Sequence, residues 1–246
     1  MTAASTSTPV LVVSVVDVNG NGTEARDACV RLWVAAGAEA ECGDLVVSHG
    51  LPAVRTLNAV RSPVLLYNSR TQHPYPIVSV NVTLPLGWPA PDSVVGVLRM
   101  GGAELAHRGY PGTAFPAGQT ERIALTFDAG TYNTSLYSYQ VEVYAWYGPG
   151  RELAYASSEL AIVNRAGSAL GAGWDIAGHE RMYVEEGGFL FWVGGDGGTA
   201  VFRQKAGSTT VWMRDPGARP DSVVKQGAQY VRALPGGARV VMDGAG

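Results

Sequence analysis

The chain has 246 residues, 46% of them hydrophobic and only 16% charged, with a formal net charge of −3 and a pI near 5.8. Lysines and arginines stand singly, without the basic tract that phosphate-backbone binding needs, so nucleic acid is not an expected partner. No apolar run approaches the roughly 20 residues a helix needs to cross a bilayer, so no transmembrane segment is expected.

Glycine (32 residues) and proline (14) interrupt short β-branched runs, which predicts an all-β chain of many strands and turns. Residues 1–8, rich in Ser, Thr and Ala, are expected to be a disordered linker. The opening MTAASTSTPVLVVSVV lacks a basic n-region and is not read as a signal peptide. The chain is read instead as a piece of a longer polypeptide, with any export signal outside it.

Residues 9–63 are expected to form a small β module with a connector at Leu51–Pro63. Val10–Val16 is a compact strand that ends in Asp17-Val-Asn19-Gly-Asn21-Gly22, where Asn and Gly tolerate left-handed conformations. Asp17, Asn19 and Asn21, with Asp27 beyond, imitate the first half of a calcium-binding EF-hand loop. The twelfth position is Ala28 rather than Glu, so a plain turn is preferred over a calcium site. Residues 25–42 suit a helix by their alanines and charges, yet Val30, Leu32 and Val34 alternate as in a strand, and the hairpin is preferred. With its turn at Ala35–Gly37, Cys29 and Cys42 fall opposite each other. Directly opposed residues in an antiparallel pair have Cα atoms about 4.5 Å apart at closest, near the short limit for a disulfide. A disulfide and two buried thiols both fit; the disulfide is preferred and implies an exported protein.

Residues 64–165 alternate most clearly. Val78, Val80, Val82 and Leu84 point one way, as do Ile123, Leu125 and Phe127, and Tyr137, Tyr139, Val141 and Val143. One-sided burial belongs to antiparallel sheets with a wet face. About seven such strands in some hundred residues predict an immunoglobulin-like or fibronectin-like β-sandwich. Trp88 and Trp146, with Tyr144 and Tyr147, are candidates for a sugar-binding platform, although aromatics on strands more often fill a core. That platform carries the alternative function: a carbohydrate-binding or adhesion module with cell-surface glycans or proteins as partners.

Residues 166–246 read as a β-meander. Met182–Val184 and Phe189–Val193 flank a Glu185-Glu186-Gly-Gly turn, and Thr199–Phe202 follows Gly194-Gly195-Asp196-Gly197-Gly198. Gly-Gly and Asp-Gly between β-prone runs are strong hairpin signals. Ala238–Met242 is expected to be an edge strand whose partner lies beyond Gly246. Catalytic patterns are not found. His49, His73, His107 and His179 are scattered, and His179-Glu180 reads as a turn or surface pair. Gly171-Ala-Gly173 lacks the third glycine of a dinucleotide loop, and no Gly-x-Ser-x-Gly elbow occurs. Neither an enzyme nor a cofactor is expected.

The wording GAGWDIAGHERM, then an aromatic strand, then VGGDGGTAVFR, resembles the opening of the shell in Rhs/YD-repeat proteins. The residues that carry the resemblance are Gly171, Gly173, Trp174, Gly178, Arg181, Gly195, Asp196 and Gly197. YVRALPGGARVVMDGAG, RDACV, ECGDL and LPAVRTLN followed by VLLYNS extend it over most of residues 10–246. Two departures stand out: Asp175 and His179 replace apolar or neutral residues, and no Tyr-Asp repeat is present. The resemblance implies a bacterial, extracellular or cell-surface location and a meander that begins a β-shell enclosing a C-terminal effector, often a toxin. The implied partner is the rest of its own chain.

Overall fold

In a computed structural model, the structure describes residues 11–16, 32–35, 38–41, 44–56, 59–184, 188–214, 221–234 and 237–243. Asp17, Asn19, Asn21, Asp27, Cys29, Cys42, Glu185 and Glu186 lie outside the described residues. The chain begins with β1 (Val12–Val16), β2 (Leu32–Ala35), β3 (Ala38–Glu41), β4 (Asp44–Gly50), β5 (Val54–Thr56), β6 (Ala59–Arg61) and β7 (Val64–Asn68). A single helical turn, α1 (Ser69–Gln72), follows. Then come β8 (Ile77–Thr83), β9 (Ser93–Met100), β10 (Ala103–Pro111), β11 (Thr120–Thr126), β12 (Ser135–Tyr147) and β13 (Gly150–Ile162). The last stretch holds β14 (Trp174–Ile176), β15 (Arg181–Val184), β16 (Leu190–Val193), β17 (Thr199–Gln204), β18 (Val211–Arg214), β19 (Ser222–Gln226), β20 (Gln229–Ala233) and β21 (Arg239–Asp243). The fold is all-β.

Contacts divide the chain into two units, and the division is not consecutive in sequence. The first comprises residues 1–18, 76–127 and 137–160. It is a β-sandwich of a three-stranded sheet, β1-β8-β11, and a four-stranded sheet, β10-β9-β12-β13. The alternation sets its core: Val78, Val80, Val82, Ile123 and Leu125 are buried from one sheet, and Val94, Leu98, Tyr139, Val141 and Val143 from the other.

The second unit comprises residues 19–75, 128–136 and 161–246. It contains a five-stranded sheet, β14-β7-β4-β3-β2, the hairpin β5-β6 and a seven-stranded meander from β15 to β21. β2 and β3 pair antiparallel with Trp33 opposite Glu39, so the hairpin is the structure of residues 32–41 where they are described.

Strand pairing corrects the boundary expected near residue 63. β1 belongs with the sandwich, since Val12 pairs with Thr83 and Val16 with Ser79. β7, expected to open the sandwich, lies between β4 and β14 instead. All five of its residues are half-buried, without the alternation of a strand that has one buried and one wet face. Periodicity identifies a strand; it does not reveal which distant strand completes it.

The meander curls around its own core. Met182 in β15 and Met242 in β21, at opposite ends of the strand order, join one buried cluster with Leu190, Phe202, Trp212, Val223 and Tyr230. Within it Arg232 is buried against Asp221, donating from Nη2 to Oδ2 at 2.6 Å. Its guanidinium lies 4.2 Å from the Trp192 ring centre. Glu180 Oε2 accepts from Trp192 Nε1 at 2.7 Å and from Arg232 Nη1 at 3.3 Å. Of the dipeptide His179-Glu180, His179 closes a turn by donating its N–H to Ile176 O and stays half-exposed, while Glu180 turns inward.

Candidate functional site

The feature most unlike an ordinary β-protein interior lies in the second unit, around two buried charges that follow the sandwich strands in sequence. Arg165 is 7% exposed and Asp175 2% exposed. The turn between them is closed by backbone bonds to Arg165: its carbonyl accepts from Ser168 N at 3.1 Å and from Gly173 N at 3.0 Å, and its own N–H donates to Thr71 O. The side chain then reaches across. Nη1 donates to Gly195 O at 2.8 Å, Nη2 to Gly194 O at 2.5 Å, and Nη2 also lies 3.1 Å from Asp175 Oδ2. One guanidinium thus ties the glycine-rich turn before β14 to the Gly-Asp-Gly hairpin between β16 and β17.

Asp175 is held from the other side by Arg181, whose Nη1 donates to Oδ2 and whose Nη2 donates to Oδ1 at 3.3 Å. The Ile176 amide donates to Oδ1 at 2.8 Å, and His179 Nδ1 lies 3.2 Å from the same oxygen. Burial pushes the Asp175 carboxyl upward. The Arg181 bonds, the Ile176 amide and the charges of Arg165 and Arg181 outweigh it and hold the group below the ordinary carboxylate range. Burial likewise presses the Arg165 guanidinium down, opposed mainly by Asp175. The hydrogen bond to Asp175 holds Arg181 up.

Asn68, at the end of β7, makes a second tie. Its N–H donates to Gly173 O at 3.0 Å, and its side-chain Nδ2 donates to Asp196 O at 3.3 Å. Two glycines are dictated by this closeness. A Cβ on Gly195 would sit 2.1 Å from Ile176 O. Gly173 has φ +81°, and a Cβ there would meet the Tyr67 ring at 2.7 Å. Trp174 packs against Tyr67 with ring centres 5.4 Å apart, and Ser168 Oγ donates to its carbonyl. Asp196 Oδ1 accepts from Gly198 N at 2.8 Å, which closes the hairpin turn around Gly197.

Of the residues singled out in the sequence, Gly171, Gly173, Trp174, Arg181, Gly195, Asp196 and Gly197 gather here. Gly178, with φ +78°, meets nothing within 4 Å of a built Cβ. Sequence reasoning missed Arg165 and Asn68, and it noted Asp175 only as a departure. The available signal was charge: Arg165 and Asp175 are the only charges between residues 165 and 179, in a stretch made mostly of glycine and apolar residues. A cavity of about 560 Å³ opens beside the network, lined among others by Asn164, Leu170, His179, Arg181 and Tyr183. With Asp175 engaged by two arginines and an amide, this carboxylate is poorly placed to shuttle protons. What the arrangement does chemically is hold backbone segments together.

The aromatic candidates divide. Trp88 packs edge-on to Tyr147 with ring centres 6.1 Å apart. Tyr144 and Trp146 share instead the guanidinium of Arg151, which lies 5.0 and 5.5 Å from their ring centres. A sugar ring stacking there would have to displace Arg151.

No family model matches the chain, and no curated protein matches it.

Proposed function

We propose that the chain is a non-catalytic structural segment of a large secreted or surface protein of the Rhs/YD-repeat kind. On this reading its meander opens a β-shell that encloses or presents a C-terminal effector. The observation that carries the reading is the Arg165 clamp, which joins the two glycine motifs on which the resemblance rests. A wall that must start a continuous sheet needs its early turns fixed, and Arg165 and Asn68 both bind carbonyls of the β16–β17 turn, the second of the meander. Among the described residues β21 stands at the end of the meander's strand order, which supports the same reading.

The test is the native product of the host cell, examined by mass spectrometry. Tandem Tyr-Asp repeats after Gly246, in a secreted or surface-exposed protein, are expected; a native product without them would refute the proposal. A second expectation concerns β21 itself. In the isolated chain the amides of Arg239–Asp243 should exchange hydrogen rapidly, because this strand of five residues has one hydrogen-bonded neighbour among the described residues. Those of Ile77–Thr83 in β8, paired on both sides, should exchange slowly. Equal protection of the two segments would mean that the sheet closes on itself and needs no continuation.

A further inference from the structure

The cavity beside the Arg165–Asp175 network, about 560 Å³, is of the size that holds small molecules, roughly 300–1,000 Å³. Every residue that lines it belongs to the second unit. Its charged lining is Arg165, Arg181 and Asp175, two cations against one anion, so one positive charge is left over. Asp196 acts on Arg165 from outside the lining, with Oδ1 closing its own turn on Gly198 N. Most polar side chains around the cavity are already engaged. Thr134 Oγ1 donates to Asn164 O, Asn164 Nδ2 donates to Gly130 O and Tyr132 O, and Ser168 Oγ donates to Trp174 O.

Three lining residues keep hydrogen-bonding capacity. Among the described residues the Tyr183 hydroxyl has no hydrogen-bond partner, while its ring packs on Phe191. It lies near enough to both guanidiniums to interact with their charge. His179, half-exposed, is engaged through Nδ1, which stands 3.2 Å from both Asp175 Oδ1 and Arg181 Nη2. In the tautomer that accepts from Arg181, and in the imidazolium, Nε2 carries a proton that no described residue accepts. Arg181 meets Asp175 and His179 through Nη1 and Nη2, which leaves its Nε–H. The apolar lining is Val163, Leu170, Ile176 and Val193, of which Leu170 and Ile176 are 44% and 38% exposed.

We propose that this cavity binds a small monocarboxylate that carries an apolar group. Arg181, His179 and Tyr183 take the carboxylate, and Leu170 and Ile176 take the apolar part. A single negative charge matches the charge left over. Two carboxylate oxygens offer about four lone pairs, enough for the three donors at once. A neutral amide has one oxygen and turns N–H groups toward the same donors, and it lacks the charge that strengthens each bond. Asp175 keeps both arginines throughout, so binding leaves the clamp closed.

Isothermal titration of the full chain tests this with phenylacetate, its neutral amide phenylacetamide, and acetate, which has no ring. Phenylacetate should bind saturably at about millimolar or tighter. Phenylacetamide and acetate should each bind about tenfold more weakly or worse, the first for want of charge and the second for want of apolar area. Tyr183→Phe keeps the ring against Phe191, and His179→Ala keeps both arginine contacts to Asp175, so neither should unfold the unit. Each should weaken phenylacetate by about threefold or more. Leu170→Asn, at an exposed position, should weaken it similarly. No saturable binding of phenylacetate, equal affinity for the acid and its amide, equal affinity for phenylacetate and acetate, or affinity indifferent to the three substitutions would each overturn the proposal.

Discussion

Replacing Asp175 by alanine is expected to destabilise the second unit by about 3–5 kcal/mol, the range found when one partner of a buried ion pair is removed. The loss comes less from the missing attraction than from what stays behind. Arg165, with a side chain 6% exposed, would keep its charge in the interior with only carbonyls as partners. Arg181, one-third exposed, would turn toward water and suffer less. Asp175→Asn keeps the shape and one acceptor and should cost less than alanine. Arg165→Met/Asp175→Leu, which removes both buried charges, should recover part of the loss, because a well-packed apolar pair avoids the desolvation cost. Thermal melts measure this: Asp175→Ala should lower the midpoint by on the order of 10 °C. A change within error would mean that the network is incidental and that packing alone holds the two glycine motifs.

The same carboxylate sets an acid limit. Its pKa in the folded protein lies below the ordinary value of about 3.9. The folded state therefore binds fewer protons than the unfolded state in that range, and stability rises with pH there. The contribution of Asp175 is complete above the unfolded value and is lost as pH falls through the folded one. As pH falls below the ordinary carboxylate range, Asp175→Asn should accordingly show a shallower fall in stability than the parent chain.

Much of the architecture is legible in the sequence because it is local. Period-two alternation finds the inward faces of β8, β11 and β12, and glycine-rich turns between β-prone runs find the hairpins of the meander. What is not legible is non-local. β1 and β8 are separated in sequence by all of β2 to β7, and nothing in Val12–Val16 names Ile77–Thr83 as its partner. Arg165 reaches carbonyls 29 and 30 residues away, and Asn68 reaches one 128 residues away. Backbone carbonyls are offered by every residue, so the arginine's bonds to them leave no motif in the sequence; its one side-chain partner among the described residues, Asp175, lies ten residues on. The glycines are the visible half of the arrangement, since their lack of a side chain is what lets the segments approach. The arginine and asparagine that use the approach look like ordinary surface polar residues until the fold is known.

Gly195 puts that argument to its sharpest test. Substitution by alanine places a Cβ 2.1 Å from the Ile176 carbonyl oxygen, a contact with backbone rather than with a side chain that could rotate away. The hairpin must back off from β14 by about 1 Å to restore normal contact, and the Arg165 bonds to Gly194 and Gly195 lengthen with it. Overpacking of this kind costs typically 1–3 kcal/mol, and loss of the buried hydrogen bonds adds to it. Gly195→Ala should therefore lose roughly 3 kcal/mol or more and release the β16–β17 hairpin, with rising exchange at the amides of Gly194, Gly197 and Gly198. Gly178→Ala is the matched comparison. That glycine belongs to the same resemblance and has φ +78°, yet it faces open space. Its cost should be only that of a left-handed alanine, about 1–2 kcal/mol, with the hairpin amides unchanged. If both variants lose the same stability and the hairpin stays protected in each, then close approach to Ile176 is not what requires glycine at 195, and the account of the clamp fails at its narrowest contact.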